Sequence, residues 1–415
     1  FGVNGTINTV GNIINQASPQ FGATSVNLGA VRVGAAAPTA NIQLTNQSVG
    51  GQQAALSASI ASNGAPVTAS GAVNLLAPGA SSSALQVGLN TAVAGNFTGG
   101  NAGSATVSLV SDASNVGNCG ANCTLNLASQ QITVQGKVYT AAVGAASGTS
   151  IDFGIVRVGD TVSARNITIN NNAAASALND SLRADVSGLS GPLAAGSVAG
   201  VAAQASGQIG VTLSTANAGV FDQSGLVQFL SQNGDMADIS AGPDEGIDVK
   251  AQVNNLANAV FGMAGGMGNL SRVGDTFYLD YGNVVEGNAL SSTLNLINQV
   301  AGPADELDGS FDVSGAGAFS LNGWSAFNDL TAGNLLGGLG LNYLAATLGS
   351  FQQQIVLNGF SDNASDLTNG IARTINLVLR GNVVAANQQV PEPGSLALVL
   401  LAAAVGWQAR RRRTA

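Results

Sequence analysis

Apolar and polar residues alternate along many short segments of the chain, as at Ile42 and Leu44, Ile167 and Ile169, or Ile132, Val134 and Val138. A period of two lays one face of an extended strand on a core and leaves the other in solvent. Gly, Asn and Ser punctuate these segments, and long helices are not predicted in the body of the chain.

The pattern repeats. "VNLGAVRVG" at Val26–Gly34 returns as "IDFGIVRVG" at Ile151–Gly159 and as "LDYGNVVEG" at Leu279–Gly287. Downstream, "NIQLTN" (Asn41–Asn46) matches "NITINN" (Asn166–Asn171), and "LNLIN" (Leu294–Asn298) follows in the third copy. "VGLNTAVAGNF" (Val87–Phe97) matches "VTLSTANAGVF" (Val211–Phe221), with "LNYLAATLGSF" (Leu341–Phe351) as a weaker third, and closing strands begin at Ile132, Ile247 and Leu377. The paired glycines are expected to bracket a turn, and the Asn that ends the second strand suits an αL or Asx turn. Each unit holds roughly seven strand candidates in about 110–125 residues, the size of an immunoglobulin-like sandwich. The fold expected is therefore all-β: tandem immunoglobulin-like β-sandwich domains, followed by one C-terminal transmembrane helix.

That helix is read from the last residues. From Leu396 to Trp407 every residue is Leu, Ala, Val, Gly or Trp, and Arg410, Arg411, Arg412 and Arg413 follow after Gln408 and Ala409. The stretch 394–409 would span about 24 Å as a helix, short for a bilayer. Trp407 at the interface and snorkelling arginines extend its reach, and the positive-inside rule puts the arginines in the cytoplasm. A buried helix of a soluble domain would show a polar stripe, and this one shows none. The expected organisation is an N-terminal extension or remnant of another unit over 1–19; sandwich units over 20–142, 146–256 and 277–386; and a Gly/Met-rich linker over 257–276, with a Met-rich partner surface as the alternative. A linker carrying Pro-Glu-Pro over 387–393, the transmembrane helix over 394–409 and the arginine tail over 410–415 complete it. The chain begins at Phe1, so it reads as a fragment or as a chain whose leader has been removed.

Composition removes whole classes of activity. The net charge is −9 even with the terminal arginines, which argues against nucleic acid as a partner. There is no His, so Ser-His-Asp and Cys-His sites cannot be built. Cys119 and Cys123 are too few ligands for a thiolate zinc site; an oxidising compartment would make them a local disulfide, and two free thiols are the alternative. They fall where the first unit is longer: Phe97 to Gly136 is 39 residues, against 30 from Phe221 to Ala251 and from Phe351 to Gly381. No cofactor is expected.

Two resemblances add to this reading. Pro391, Glu392 and Pro393, then an apolar span, then the arginine cluster resemble the PEP-CTERM sorting signal of Gram-negative bacteria. The resemblance implies recognition by an exosortase-like membrane enzyme, processing near Val390–Pro393, an inner-membrane anchored intermediate and delivery to the cell surface or exterior, commonly alongside exopolysaccharide. Two prolines keep that stretch extended and out of the helix, as a processing enzyme needs. The repeated apolar-x-apolar-Gly-x-Val-x-x-Gly openings resemble choice-of-anchor D proteins and the related ASPM-SPD-2-Hydin domains. This likeness implies β-sandwiches without catalytic residues; the third copy departs from it at Glu286.

The acidic loops are the remaining candidates for chemistry. Asp235, Asp238, Asp244 and Glu245 in the second unit are weak Ca²⁺ candidates, and Asp305, Glu306, Asp308 and Asp312 form a second group in the third. Neither follows the EF-hand pattern, and both read first as solvated loop charges. Two carboxylates are also the minimum for a glycosidase, but sugar platforms are scarce, with Trp324 the one Trp outside the tail. The expectation is a non-enzymatic structural or interaction protein of the exterior, associated with exopolysaccharide or a biofilm. A glycan- or protein-binding adhesin is the alternative, and an extracellular hydrolase the third.

Overall fold

The computed structural model describes residues 11, 13–114, 116–117, 119, 123–314, 319–365 and 370–386. These residues are almost entirely strands and connections, with one 3₁₀ turn at Gly99–Asn101. The chain divides into two compact units. One comprises Phe1–Asp152, Val162–Ser214 and Asp222–Val249; the other comprises Phe153–Thr161, Thr215–Phe221 and Lys250–Ala415, so strands of the second repeat contribute to both.

Each repeat is a pair of sheets. In the first, Pro19–Phe21, Thr39–Asn46, Ser81–Leu89 and Val67–Ser70 lie side by side in that order. The other sheet runs Gly95–Phe97, Thr124–Tyr139, Gly103–Asp112, Ala55–Ser62 and Ala72–Leu76, with Ser25–Arg32 parallel to Thr124–Tyr139. The second repeat follows the same plan, with a four-stranded sheet ordered Gly144–Ser147, Arg165–Asn171, Ser206–Leu213, Leu193–Ala195. In the third, the four-stranded sheet is Ala259–Gly266, Ala289–Asn298, Leu335–Leu344 and Phe319–Asn322, and Thr276–Val285 again runs parallel to the closing strand Ile371–Val384.

The alternation read in the sequence is the cause of the core. Ile42, Leu44, Leu85, Val87, Val107, Ile132 and Val134 meet between the sheets of the first repeat, all buried. The third repeat is aromatic instead: Phe261, Phe277, Phe311, Trp324 and Phe327 stand with ring centroids 5.0–6.5 Å apart. Trp324 also donates its Nε1–H to the Gly340 carbonyl at 2.9 Å, so it takes part in the packing of the third repeat.

Several sequence expectations change here. The Gly/Met-rich stretch 257–276 is not a linker: it supplies strands Ala259–Gly266 and Asn269–Val273. Ala259 and Phe261 are buried, but glycines on either side of the methionines hide the alternation. Residues 1–19 are not simply an extension, because Ile14–Asn15 pairs with Gln52–Gln53, Pro19 begins the first strand of the sandwich, and Ala17 is buried. The second repeat begins before 146, at the strand Gly144–Ser147. Of the paired glycines, the first lies inside a strand at a break in register, where Asn27 and Ala30 pair with Gln135 and Lys137. Only the second sits in a turn; Gly29 and Gly34 both have positive φ, 75° and 78°.

The extra length of the first repeat is also split. Phe97 to Ser111 is 14 residues, against 10 from Phe221 to Ser231 and from Phe351 to Ser361, so part of it is the 3₁₀ turn at Gly99–Asn101. The rest enlarges the hairpin tip that carries the cysteines. Among the described residues no helix is long and apolar enough to cross a membrane. The expected helix 394–409 lies outside them.

Gly71 tests the close approach of strands. Its φ is 108°, and a Cβ there would lie 2.0 Å from the Ala84 carbonyl oxygen. Gly71→Ala is expected to destabilise the protein by about 2 kcal/mol or more, read as a lower urea midpoint with unchanged slope.

Candidate functional site

Two buried aspartates, Asp180 and Asp305, stand where one repeat passes into the next. Arg32 ends the strand Ser25–Arg32, and its Nε donates to Asp180 Oδ2 at 2.7 Å. Its Nη2 reaches the carbonyls of Ala237 (3.1 Å) and Ser231 (3.4 Å). Asp180 is 1% exposed, and two further donors hold it: Ser231 Oγ at 2.8 Å and Asn233 Nδ2 at 2.7 Å. The Ser231 hydroxyl in turn accepts the Ala142 N–H at 2.8 Å.

The same constellation recurs 125 positions later for its arginine and aspartate. Arg157 Nε donates to Asp305 Oδ2, and Arg157 Nη2 to the Ser361 carbonyl at 3.1 Å. Ser361 Oγ (2.9 Å), Asn363 Nδ2 (2.9 Å) and Asn254 Nδ2 (3.0 Å) complete the shell of Asp305, and Ser361 Oγ accepts the Ala257 N–H at 3.0 Å. Each constellation lies within a single compact unit. A buried carboxylate costs several kcal/mol in lost hydration unless a counter-charge and donors replace the water, and here both do. Each joint is therefore specific: an apolar residue or a misplaced carbonyl would leave donors stranded.

A buried Asn braces each repeat beside the joint. Asn46 Oδ1 accepts the N–H groups of Ser18 (3.1 Å) and Ser48 (3.3 Å), while its Nδ2 donates to the carbonyls of Ala54 (3.1 Å) and Leu76 (3.2 Å). Asn171 and Asn298 hold corresponding places and are 1% and 0% exposed. The Asx turn expected from sequence is present at Asn46 and Asn171, but it is one bond among several.

Asp235 closes the edge of the first joint. It accepts from Lys137 Nζ at 2.7 Å and from the Tyr139 hydroxyl. Lys137, then Tyr139, hold its carboxyl below the ordinary carboxylate range. The stability it contributes is thus present above that range and lost as pH falls through the lower folded value. Asp235→Asn should flatten that part of the acid limb of a stability–pH curve, measured by thermal melts.

The other weak Ca²⁺ candidates do not converge. Asp238 accepts from Gln232 Nε2, Asp244 from Gln228 Nε2 and Glu245 from the Ala146 N–H. Among the described residues no group of three or more His, Cys, Asp or Glu is placed to hold a metal ion. In the third repeat, Asp308 accepts from the Asp329 N–H and Asp312 from Asn358 Nδ2. The Glu306 carboxyl is pushed up by burial and by Asp329 and Asp308 nearby. Asp305, read from sequence as a solvated loop charge, is instead the buried centre of the second joint.

Cys119 and Cys123 are half-buried thiols, not joined in the structure; a hydrogen bond with Cys123 is the main influence that pushes the Cys119 thiol up to about 11. Val390, Pro391, Glu392, Pro393 and Arg410, Arg411, Arg412 and Arg413 lie outside the described residues. Arg32 and Arg157 were missed as site residues: they stand inside the repeated motif, and the signal was that the third copy has Val285 in their place.

The PEP-CTERM protein-sorting motif matches residues 389–413, and it marks the chain as exported. No curated protein sequence matches the chain. Among solved structures, mouse cadherin-23 EC22-24 is 14% identical, covers 89% of this chain and 100% of its own, and has a TM-score of 0.34. The human desmocollin-1 ectodomain is 11% identical, covering 91% of this chain and 63% of its own at a TM-score of 0.36. The ASH / PapD-like domain of human CEP192 is 11% identical and covers 28% of this chain and 87% of its own, with a TM-score of 0.23.

Proposed function

We propose that this is a non-catalytic structural or interaction protein of the cell exterior, in which the C-terminal motif handles delivery and the joined sandwiches are the cargo. The observation that carries the reading is the pairing of the sorting motif at 389–413 with a body in which buried ion pairs join one repeat to the next. The motif implies an exosortase-like processing partner. Before processing, the segment 394–409 anchors the chain in the inner membrane with Arg410–Arg413 on the cytoplasmic side. Afterwards the sandwiches present long polar strand surfaces to exopolysaccharide or to other surface proteins, within a biofilm matrix. Cys119 and Cys123 close a disulfide in the oxidising exterior, stapling the hairpin tip of the first repeat.

The test is the intact mass of the protein recovered from the exterior of its native host, with thiol labelling before and after reduction, beside a variant carrying Pro391→Ala and Pro393→Ala. The expected product ends near Pro-Glu-Pro and takes label only after reduction, and the double variant stays inside the cell. A full-length exterior product still carrying Arg410–Arg413 would sink the processing step. Label taken without reductant would sink the disulfide.

A further inference from the structure

Both joints share a backbone signature as well as an ion pair. Asp180 N–H donates to the Thr140 carbonyl at 2.8 Å and Asp305 N–H to that of Asn255 at 2.9 Å. Thr140 forms a parallel bridge with Asn179, and Asn255 with Ala304. In each case the connector has just left the closing strand of one repeat.

The same signature occurs a third time, at the start of the first repeat. Ala54 N–H donates to the Asn15 carbonyl at 3.0 Å, Ile14–Asn15 runs parallel to Gln52–Gln53, and Ala17 N–H donates to Ser111 Oγ at 2.9 Å, as Ala142 and Ala257 do to Ser231 and Ser361. The residues leading in carry the closing-strand pattern: Val10-Gly11-Asn12-Ile13-Ile14 corresponds to Gln135-Gly136-Lys137-Val138-Tyr139 and to Arg380-Gly381-Asn382-Val383-Val384. At the finished joints the residues matching Ile13, Val138 and Val253, are both fully buried; Ile13 is 90% exposed, and Val49, whose carbonyl accepts from Asn15 Nδ2 at 3.4 Å, is 81% exposed. An exposed Ile at a position that is buried at both finished joints lacks the covering which that position has there.

The chemistry of the socket also differs. Where Asp180 and Asp305 stand, the first repeat has Ala54, and where Asn233 and Asn363 stand it has Ala113; both alanines are buried. An incoming arginine would find no carboxylate and would be buried unpaired. An apolar side chain, such as Val285 at that place in the third repeat, meets no such cost.

We infer that the face around Ile13, Asn15 and Val49 is the docking surface for a further β-sandwich repeat, upstream in the same polypeptide, that bears an apolar residue where Arg32 and Arg157 stand. A second copy of this chain fits less well, because the sequence at 10–14 already carries the closing-strand pattern and a copy would bring another.

The test is to isolate the mature protein from its host, determine its N-terminus by sequencing and mass, and read the residues that precede Phe1. The expected result is at least one more repeat, with an apolar-x-apolar-Gly-x-Val opening and Val, Ile or Leu at the arginine position. In that protein Ala54→Asp should lower the melting temperature, and changing the upstream apolar residue to Arg should restore it. A mature N-terminus within a few residues of Phe1, with or without association of two copies through Ile13, would overturn the inference. An upstream repeat with arginine at that position would overturn its apolar part, as would Ala54→Asp melting unchanged.

Discussion

Asp305→Ala is expected to be the most damaging single substitution outside the hydrophobic cores, costing about 3–5 kcal/mol. The carboxylate takes four donors, from Arg157, Ser361, Asn254 and Asn363. Alanine leaves a guanidinium with an 11% exposed side chain and two buried amide and hydroxyl groups without their acceptor. Water reaches such a place poorly, so most of the desolvation cost stays unrecovered. Arg157→Met should cost less, because three neutral donors remain around Asp305 and the methionine stem fills part of the vacated volume. Urea unfolding of the two variants ranks them directly. Equal or reversed costs would mean that the neutral donors do little to hold the carboxylate.

Asn46→Ala is the second large effect, expected at about 3 kcal/mol or more. Asn46 satisfies two backbone N–H groups and two backbone carbonyls at once, inside a repeat where it is 0% exposed. Each buried group left without a partner costs about 1–3 kcal/mol, partly offset where chain or water relaxes into the gap. Hydrogen exchange should show faster opening at Ser18 and Ser48, the amides that lose their acceptor, while amides on strand Thr124–Tyr139 stay slow. Uniform loss of protection would instead indicate that the first repeat unfolds as one.

The strands were legible because their cores obey a period of two: Ile42 and Leu44, or Ile167 and Ile169, fall inside as the alternation requires. The third repeat's first strand was not, since Gly262, Gly265 and Gly266 carry no side chain to alternate, and Gly266 is needed for close approach; a Cβ there would lie 2.2 Å from the Ser291 carbonyl oxygen. The sorting motif is a contiguous pattern and is readable without any fold. The joints are the opposite case. Arg32 and Asp180 are 148 positions apart, as are Arg157 and Asp305, and an isolated Asp in a polar loop looks the same whether it is solvated or buried. Only the comparison between repeats carries the signal: arginine kept in two copies and Val285 in the third, aspartate kept in two and Ala54 in the first.

That the repeats are joined through specific buried ion pairs is tested most directly by a double-mutant cycle in the full chain, combining Arg157→Met with Asp305→Leu and reading each stability from urea unfolding at neutral pH. The joint as described predicts a coupling of about 2 kcal/mol or more, with the double variant much less unstable than the two single losses added together. Additive losses, with no coupling beyond about 0.5 kcal/mol, would contradict it and make the pair incidental to how the repeats hold together.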